Sequence, residues 1–263
     1  MKGIILAAGE GKRLRPLTEN MPKSMIEFNG MTLLQRQVNV MKDCNINDIV
    51  VITGYKSDMI NIPGITYYKN ENFDETNMVE TLFCAKEELV GDIIISYADI
   101  IYEKNILQKL IDSTQKIAVI IDKKWEMYWD KRFENPLEDV ESLKIDSKGS
   151  IIDIGQKTNS LEEIQGQYIG LLKFSSEGTK TLVDFYQKCK EKAKSGENML
   201  NSEIEFKKSY LTDLLQGLII NGNELKPIFI SGGWLEFDTI NDFDLYQKMI
   251  ADNSLSELIN FDR

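Results

Sequence analysis

The 263-residue chain contains no histidine, and that absence removes Ser-His and Cys-His nucleophilic catalysis, histidine metal sites and histidine pH switching together. Its three cysteines, Cys44, Cys84 and Cys189, are odd in number and far apart, which fits neither a disulfide framework nor a zinc site. Cys44 and Cys84 fall in helix-like stretches and read as small buried hydrophobes. No apolar run approaches membrane-spanning length, and charge returns at Glu10 too soon for a secretion signal, so a cytoplasmic protein with no membrane insertion is expected. No low-complexity linker and no internal repeat divides the chain. A net charge of −11 argues against a nucleic-acid partner, whose binder carries a basic stripe. Chemistry here is left to carboxylates, cations and metal.

What is present is a rhythm. Short Ile- and Val-rich runs at 3–8, 48–53, 65–68, 92–97 and 117–122 alternate with helical spacing at 32–44, 77–89 and 106–113. That alternation predicts a doubly covered, mostly parallel α/β sheet. Beyond Asp122 the pattern changes to strands at 141–145, 151–155 and 167–174, helices at 179–194 and 202–220, and a strand at 226–230. A Gly232-Gly233 turn, an extended segment at 234–238 and a closing helix from Asn241 follow. We read one domain over 1–263, in three parts at 1–122, 123–231 and 232–263, the last an extended strand with a closing helix.

The most specific stretch is Leu6-Ala7-Ala8-Gly9-Glu10-Gly11-Lys12-Arg13-Leu14-Arg15-Pro16-Leu17-Thr18, followed by Pro22-Lys23. A first strand runs into two glycines, which allow a sharp turn and close approach of amide groups to phosphate. Lys12, Arg13, Arg15 and Lys23 supply positive charge, and the first 23 residues hold five cations against two acids in an otherwise acidic chain. It is not a dinucleotide fingerprint, because Leu14 stands where the third glycine belongs, nor a Walker loop, because Lys23-Ser24 follows Pro22. The loop would leave the carboxyl end of the first strand, where open α/β sheets bind ligands.

Two acidic clusters stand out from the residues alone. Asp99 closes the run Ser96-Tyr97-Ala98-Asp99 at a strand end, a place for a metal-binding carboxylate or equally for a helix cap before Lys104. Glu236 and Asp238 are two apart and share a face if extended, although Asp238-Thr239 also fits a cap for the last helix. Asn77 is likewise a cap or a base contact. Trp125 and Trp129 share a helix face, where they form either packing or an aromatic box for a quaternary ammonium.

The loop resembles the signature of the nucleotidyltransferases that activate sugar phosphates and phosphocholine, L-A-A-G-x-G-x-R-L-x-P-L-T…P-K, at every fixed position. That resemblance implies a Rossmann-like mixed sheet with a small acceptor-binding lobe, as in nucleotide-diphospho-sugar transferases. It implies nucleotide contacts from Leu6, Ala7, Ala8, Gly9, Gly11, Lys12, Arg13, Asn77, Thr81 and Ala98, with Lys23 and Arg13 as the catalytic cations. It also implies Mg2+ held by Asp99, Glu236 and Asp238. The segments 76–82 and 96–102 look like the cytidylyltransferase branch, typified by the choline-phosphate enzymes. Residues 131–139, Ile154-Gly155-Gln156-Lys157 and Gln167-Tyr168-Ile169-Gly170 are similar to the phosphoglutamine cytidylyltransferases of capsule phosphoramidate biosynthesis. By that analogy Arg132, Lys157 and Tyr168 contact the acceptor and Glu138 or Asp139 meets a substrate ammonium, the two acids reading at least as well as solvated loop charges. The expected partners are CTP and a small phosphorylated amino compound, L-glutamine phosphate first. Phosphocholine, 2-aminoethylphosphonate, a sugar 1-phosphate with UTP or dTTP, and a non-catalytic nucleotide sensor are the other readings.

Overall fold

A computed structural model describes residues 1–261, with nothing said of the side chain of Glu163. In chain order the elements are β1 (Lys2–Ala7), β2 (Glu27–Phe28), β3 (Met31–Thr32), α1 (Leu33–Asp43), β4 (Ile49–Thr53), β5 (Thr66–Lys69), α2 (Met78–Phe83), β6 (Ile93–Tyr97), β7 (Ile100–Tyr102) and α3 (Lys104–Asp112). After these come β8 (Ile117–Asp122), α4 (Trp125–Arg132), β9 (Glu141–Ile145), β10 (Ile151–Lys157), β11 (Gln167–Phe174), α5 (Ser176–Ala193), α6 (Leu211–Ile220), β12 (Lys226–Ile230), β13 (Trp234–Glu236) and α7 (Ile240–Ala251).

The apolar strands are apolar on both sides because both faces of the sheet are covered. Ile5, Val51, Ile94 and Ile120 point into one core with α1, α3 and α7. Their neighbours Ile4, Val50, Ile95 and Val119 point into the other, with α2, α5 and α6. The seven-stranded sheet runs β12-β8-β11-β6-β1-β4-β5. β1 lies parallel to β4 and β6, and β11 alone runs antiparallel, between β6 and β8. The expected mixed, mostly parallel sheet is therefore present, and β11 and β12 from the later half complete it.

Several local expectations are corrected. The helix expected over 202–220 starts only at Leu211, because Asn198 and Asn201 each accept from an amide two residues on and fold the preceding segment into turns. The helix expected over 77–89 stops at Phe83, and the rest tightens into a short 3-10 turn. The β9–β10 hairpin forms the small lobe. It docks on α6 through Gly155, whose φ of 74° and approach to Thr212 leave no room for a side chain, and through the Ile154 amide, which donates to Gln216 Oε1 at 3.0 Å. Among the described residues no helix is long and apolar enough to cross a membrane.

Candidate active site

The loop after β1 is held by its own motif residues. Gly11 adopts φ 67° and opens a 3-10 turn over Lys12–Leu14. Leu14 is fully buried as an anchor, while the Thr18 hydroxyl donates to the Gly11 carbonyl at 2.7 Å. Lys12 and Arg13 keep side chains 72% and 67% exposed, Lys12 paired with Glu10 at 3.2 Å and Arg13 with Asp238. The loop walls a cavity of about 580 Å3, and every residue expected to contact nucleotide lines it: Leu6, Ala7, Ala8, Gly9, Gly11, Lys12, Arg13, Asn77, Thr81 and Ala98. Asn77 also acts as a cap, its Oδ1 accepting from the Met78 amide at 2.8 Å, and the Thr81 hydroxyl is engaged by Asn70 at 2.9 Å.

Asp99 and the 236–238 segment, far apart in sequence, meet through backbone pairing. β13 runs antiparallel to β7, setting Glu236 opposite Ile100, and the Phe237 amide donates to the Asp99 carbonyl at 2.8 Å. The turn before β13 is fixed by buried Asp122, which accepts from the Gly232 amide at 3.0 Å and from Trp234 Nε1 at 2.9 Å. Neither Asp99 nor Asp238 is a helix cap. Glu103 precedes α3 without a side-chain cap, and Thr239 with Asp242 caps α7.

Lys23 Nζ sits between the two aspartates, 2.7 Å from Asp99 and 3.1 Å from Asp238. Burial alone would lower its pKa, but the two carboxylates outweigh this and hold it above the ordinary lysine value. Arg13 pairs with Asp238 through both terminal nitrogens, each at 2.8 Å. Glu236 is pushed up to about 7, first by burial and then by Asp99, Asp238 and Asp139, against the opposing pull of Arg132.

Arg132, expected at the acceptor phosphate, is instead a buried structural cation. Its side chain is 0% exposed and donates to Asp242 Oδ1 and to Glu236 Oε2, each at 2.8 Å. The Glu236 backbone is gripped as well, its amide donating to the Tyr128 hydroxyl at 2.8 Å and its carbonyl accepting from Tyr246 at 2.9 Å. Lys157, the other expected phosphate contact, is exposed on the outer end of β10 and lines neither cavity. Tyr168 does line a second cavity of about 200 Å3, beside Asp139, Glu141, Gln167 and Trp129. Trp125 does not, so no two-tryptophan box forms; the rings of Trp125 and Trp129 pack edge to face at 6.2 Å within the core. Glu141, Gln167 and Tyr210 were not legible as site residues, since a lone acid in a strand and a lone tyrosine carry no motif.

Among the described residues no three acidic or thiol side chains form a metal cage by themselves. The acids converge on Lys23, Arg13 and Arg132, yet Asp99 Oδ1 is buried without a partner. Magnesium is held by one or two carboxylates together with substrate phosphates, so this donor set fits such an ion once a triphosphate shares the site.

A parallel-rich sheet with a glycine loop at the end of its first strand, facing a lysine shared by two remote aspartates, defines a nucleotidyltransferase. The chain belongs to the family with a MobA-like NTP transferase domain, matched over residues 3–151. It is 40% identical over 256 residues to a CTP:phosphoglutamine cytidylyltransferase of Campylobacter jejuni subsp. jejuni serotype O:2, covering 93% of this chain and 98% of that protein. It is 35% identical over 118 residues to a choline-phosphate cytidylyltransferase of Streptococcus pneumoniae, covering 43% of this chain and 52% of the relative. Among solved structures, the CTP:phosphocholine cytidylyltransferase of S. pneumoniae superposes with a TM-score of 0.72 at 22% identity over 95% of this chain and 98% of that one. The inositol-1-phosphate CTP transferase of T. maritima superposes with a TM-score of 0.71 at 17% identity over 98% and 97%. These two likenesses concern the fold.

Proposed function

We propose that the protein is a Mg2+-dependent cytidylyltransferase that moves CMP from CTP to a small phosphorylated amino compound, with L-glutamine phosphate as first acceptor and CDP-L-glutamine and pyrophosphate as products. The observation that carries the reaction class is Lys23 between Asp99 and Asp238 on the wall of the 580 Å3 cavity. Near-full-length identity of 40% to an enzyme named for phosphoglutamine supports the acceptor.

An oxygen of the acceptor phosphate attacks the α-phosphorus of CTP; the new P–O bond forms as the bond to the β-phosphate oxygen breaks, and pyrophosphate leaves with that electron pair. Lys23 moves its charge from the aspartates to the α-phosphate as negative charge builds there, and Arg13 holds the departing phosphates. The amides around Gly9 and Gly11 cradle the triphosphate. Asp99, with Glu236 and Asp238, would hold the Mg2+, whose role when bound is to neutralise the phosphate oxygens and orient the triphosphate. Residues 1–122 serve the nucleotide, 123–231 mainly the acceptor, and 232–263 the metal strand and closing helix. The use of CTP suits a cytoplasmic protein, and a CDP-activated amino compound suits later transfer to a surface polysaccharide such as a capsule. Phosphocholine is the second reading, favoured by the S. pneumoniae relative.

The test is to incubate the protein with each nucleoside triphosphate, Mg2+ and a panel of phosphorylated acceptors and to measure pyrophosphate. Release with CTP and L-glutamine phosphate supports the proposal. Release only with UTP or dTTP and a hexose phosphate overturns the cytidylyl assignment, and no release with any pair favours a nucleotide sensor.

A further inference from the structure

Asp99 sits in a two-residue turn, Ala98-Asp99, between β6 and β7, and that turn is tied from three other elements. The Ala98 amide donates to the Leu6 carbonyl of β1 at 3.2 Å, and the Asp99 carbonyl accepts from the Phe237 amide, just after β13, at 2.8 Å. The third tie comes from α1. Gln37, 1% exposed, donates through its one side-chain nitrogen to the Tyr97 carbonyl at 2.8 Å and to the Ile100 carbonyl at 2.6 Å, the two groups that flank the turn. Its Oε1 accepts from the Ser96 hydroxyl at 2.8 Å. Both hydrogens of the amide are therefore used on the turn, and its oxygen is held from β6.

β1 and β13 carry residues of the site themselves, whereas none of the described residues of α1 lines either cavity. Yet α1 also holds the segment that bears Lys23. The Leu33 amide donates at 3.1 Å to the carbonyl of Ile26, which follows the 3-10 turn Lys23–Met25, and Arg36, next to Gln37, donates to the Phe28 carbonyl at 3.0 Å. One helix thereby carries both partners of the 2.7 Å pair between Lys23 and Asp99. A side chain of the same length without N–H groups would deprive two interior carbonyls of this donor, and the turn relieves that cost by shifting, taking Asp99 with it.

We propose that Gln37 is a positioning residue: it touches neither substrate nor ion, and by tying both sides of the Ala98-Asp99 turn to α1 it sets the Asp99 carboxylate against Lys23 and where Mg2+ is held with the triphosphate. The assignment rests on the function proposed above.

Two variants test it. Gln37→Met keeps the length and removes both donors, whereas Ser96→Ala removes the bond that Gln37 accepts and leaves both of its donors on the turn. Pyrophosphate release gives kcat and the KM for CTP, and calorimetry without metal gives the affinity for a methylene-bridged CTP analogue. Mn2+ affinity is read from the electron paramagnetic resonance signal of free Mn2+, with that analogue present and the protein in excess. Gln37→Met is expected to lower kcat about tenfold to a hundredfold and to weaken Mn2+ about tenfold, with KM for CTP and analogue affinity within about twofold. Ser96→Ala is expected to stay within about threefold of wild type in every one of these while melting at a lower temperature. Gln37→Glu, nearly the same shape with at most one donor for two carbonyls, should follow the methionine variant and replaces it if that protein does not fold. Wild-type kcat and Mn2+ affinity in a folded Gln37 variant, equal losses in the Gln37 and Ser96 variants, or a loss of analogue affinity as large as that of Mn2+ overturns the inference. Absence of pyrophosphate release from the wild type with every substrate pair overturns the proposed function instead, and the Mn2+ comparison then still decides whether Gln37 positions Asp99.

Discussion

The loop after β1 and the wall of the second cavity receive opposite charges by opposite means. Lys12 and Arg13 are mostly exposed, so water and the flanking acids Glu10 and Asp238 stabilise them until a ligand arrives, and one contiguous segment can carry them. Asp139 and Glu236 instead sit in poorly solvated surroundings that raise their pKa values, and only a rigid scaffold keeps them there. The comparison teaches that a phosphate cradle can be local, whereas a wall with buried acids must be assembled from distant segments: α4 with Trp129, β11 with Gln167 and β13 with Glu236.

The largest effect is expected at the lysine of the first cavity and at the acid that lines both cavities. Lys23→Ala and Asp99→Ala, folded as judged by circular dichroism, should each lower pyrophosphate release by about 10^3-fold, the scale of losing one electrostatic group at a phosphoryl centre. Normal turnover in either would dismantle the proposed reaction. Next is Arg132→Ala, which strands Glu236 and Asp242 as buried charges. Urea unfolding should then show a loss of about 3–5 kcal/mol, and an unchanged midpoint would mean that the ion pairs are not structural.

A third variant separates loop shape from loop charge. At Gly11 a Cβ would lie 2.9 Å from the Lys23 Cβ at a φ of 67°, so Gly11→Ala displaces the lysine while keeping every cation. Turnover should fall about tenfold to a hundredfold, and retention of full rate would show that the turn geometry is dispensable. Last, Lys157→Ala should leave the acceptor KM within about twofold, since the side chain lies outside both cavities.

Much of the first region was legible because its information is local. The two glycines, the anchor Leu14 and the tie from Thr18 to Gly11 lie within one short stretch, and the apolar strands announce a doubly covered sheet. Arg132 was misplaced for the converse reason. An arginine at a helix end looks the same in sequence whether it faces a phosphate or, as here, a buried Asp242 more than a hundred positions on. Trp129 shows the same limit, since helical spacing pairs it with Trp125 but cannot say that only one of the two reaches a cavity.

By itself the sequence determined the glycine loop, the two-sided strands and the lack of any histidine chemistry, because backbone freedom, hydrophobic periodicity and residue inventory act over a few neighbouring positions. Only the tertiary structure decided that Asp99 and Asp238 share one lysine, that Arg132 is locked inside, and that Trp129 but not Trp125 lines a cavity. Those outcomes depend on strand pairing such as β7 with β13 and on desolvation, which arise when remote segments are pressed together.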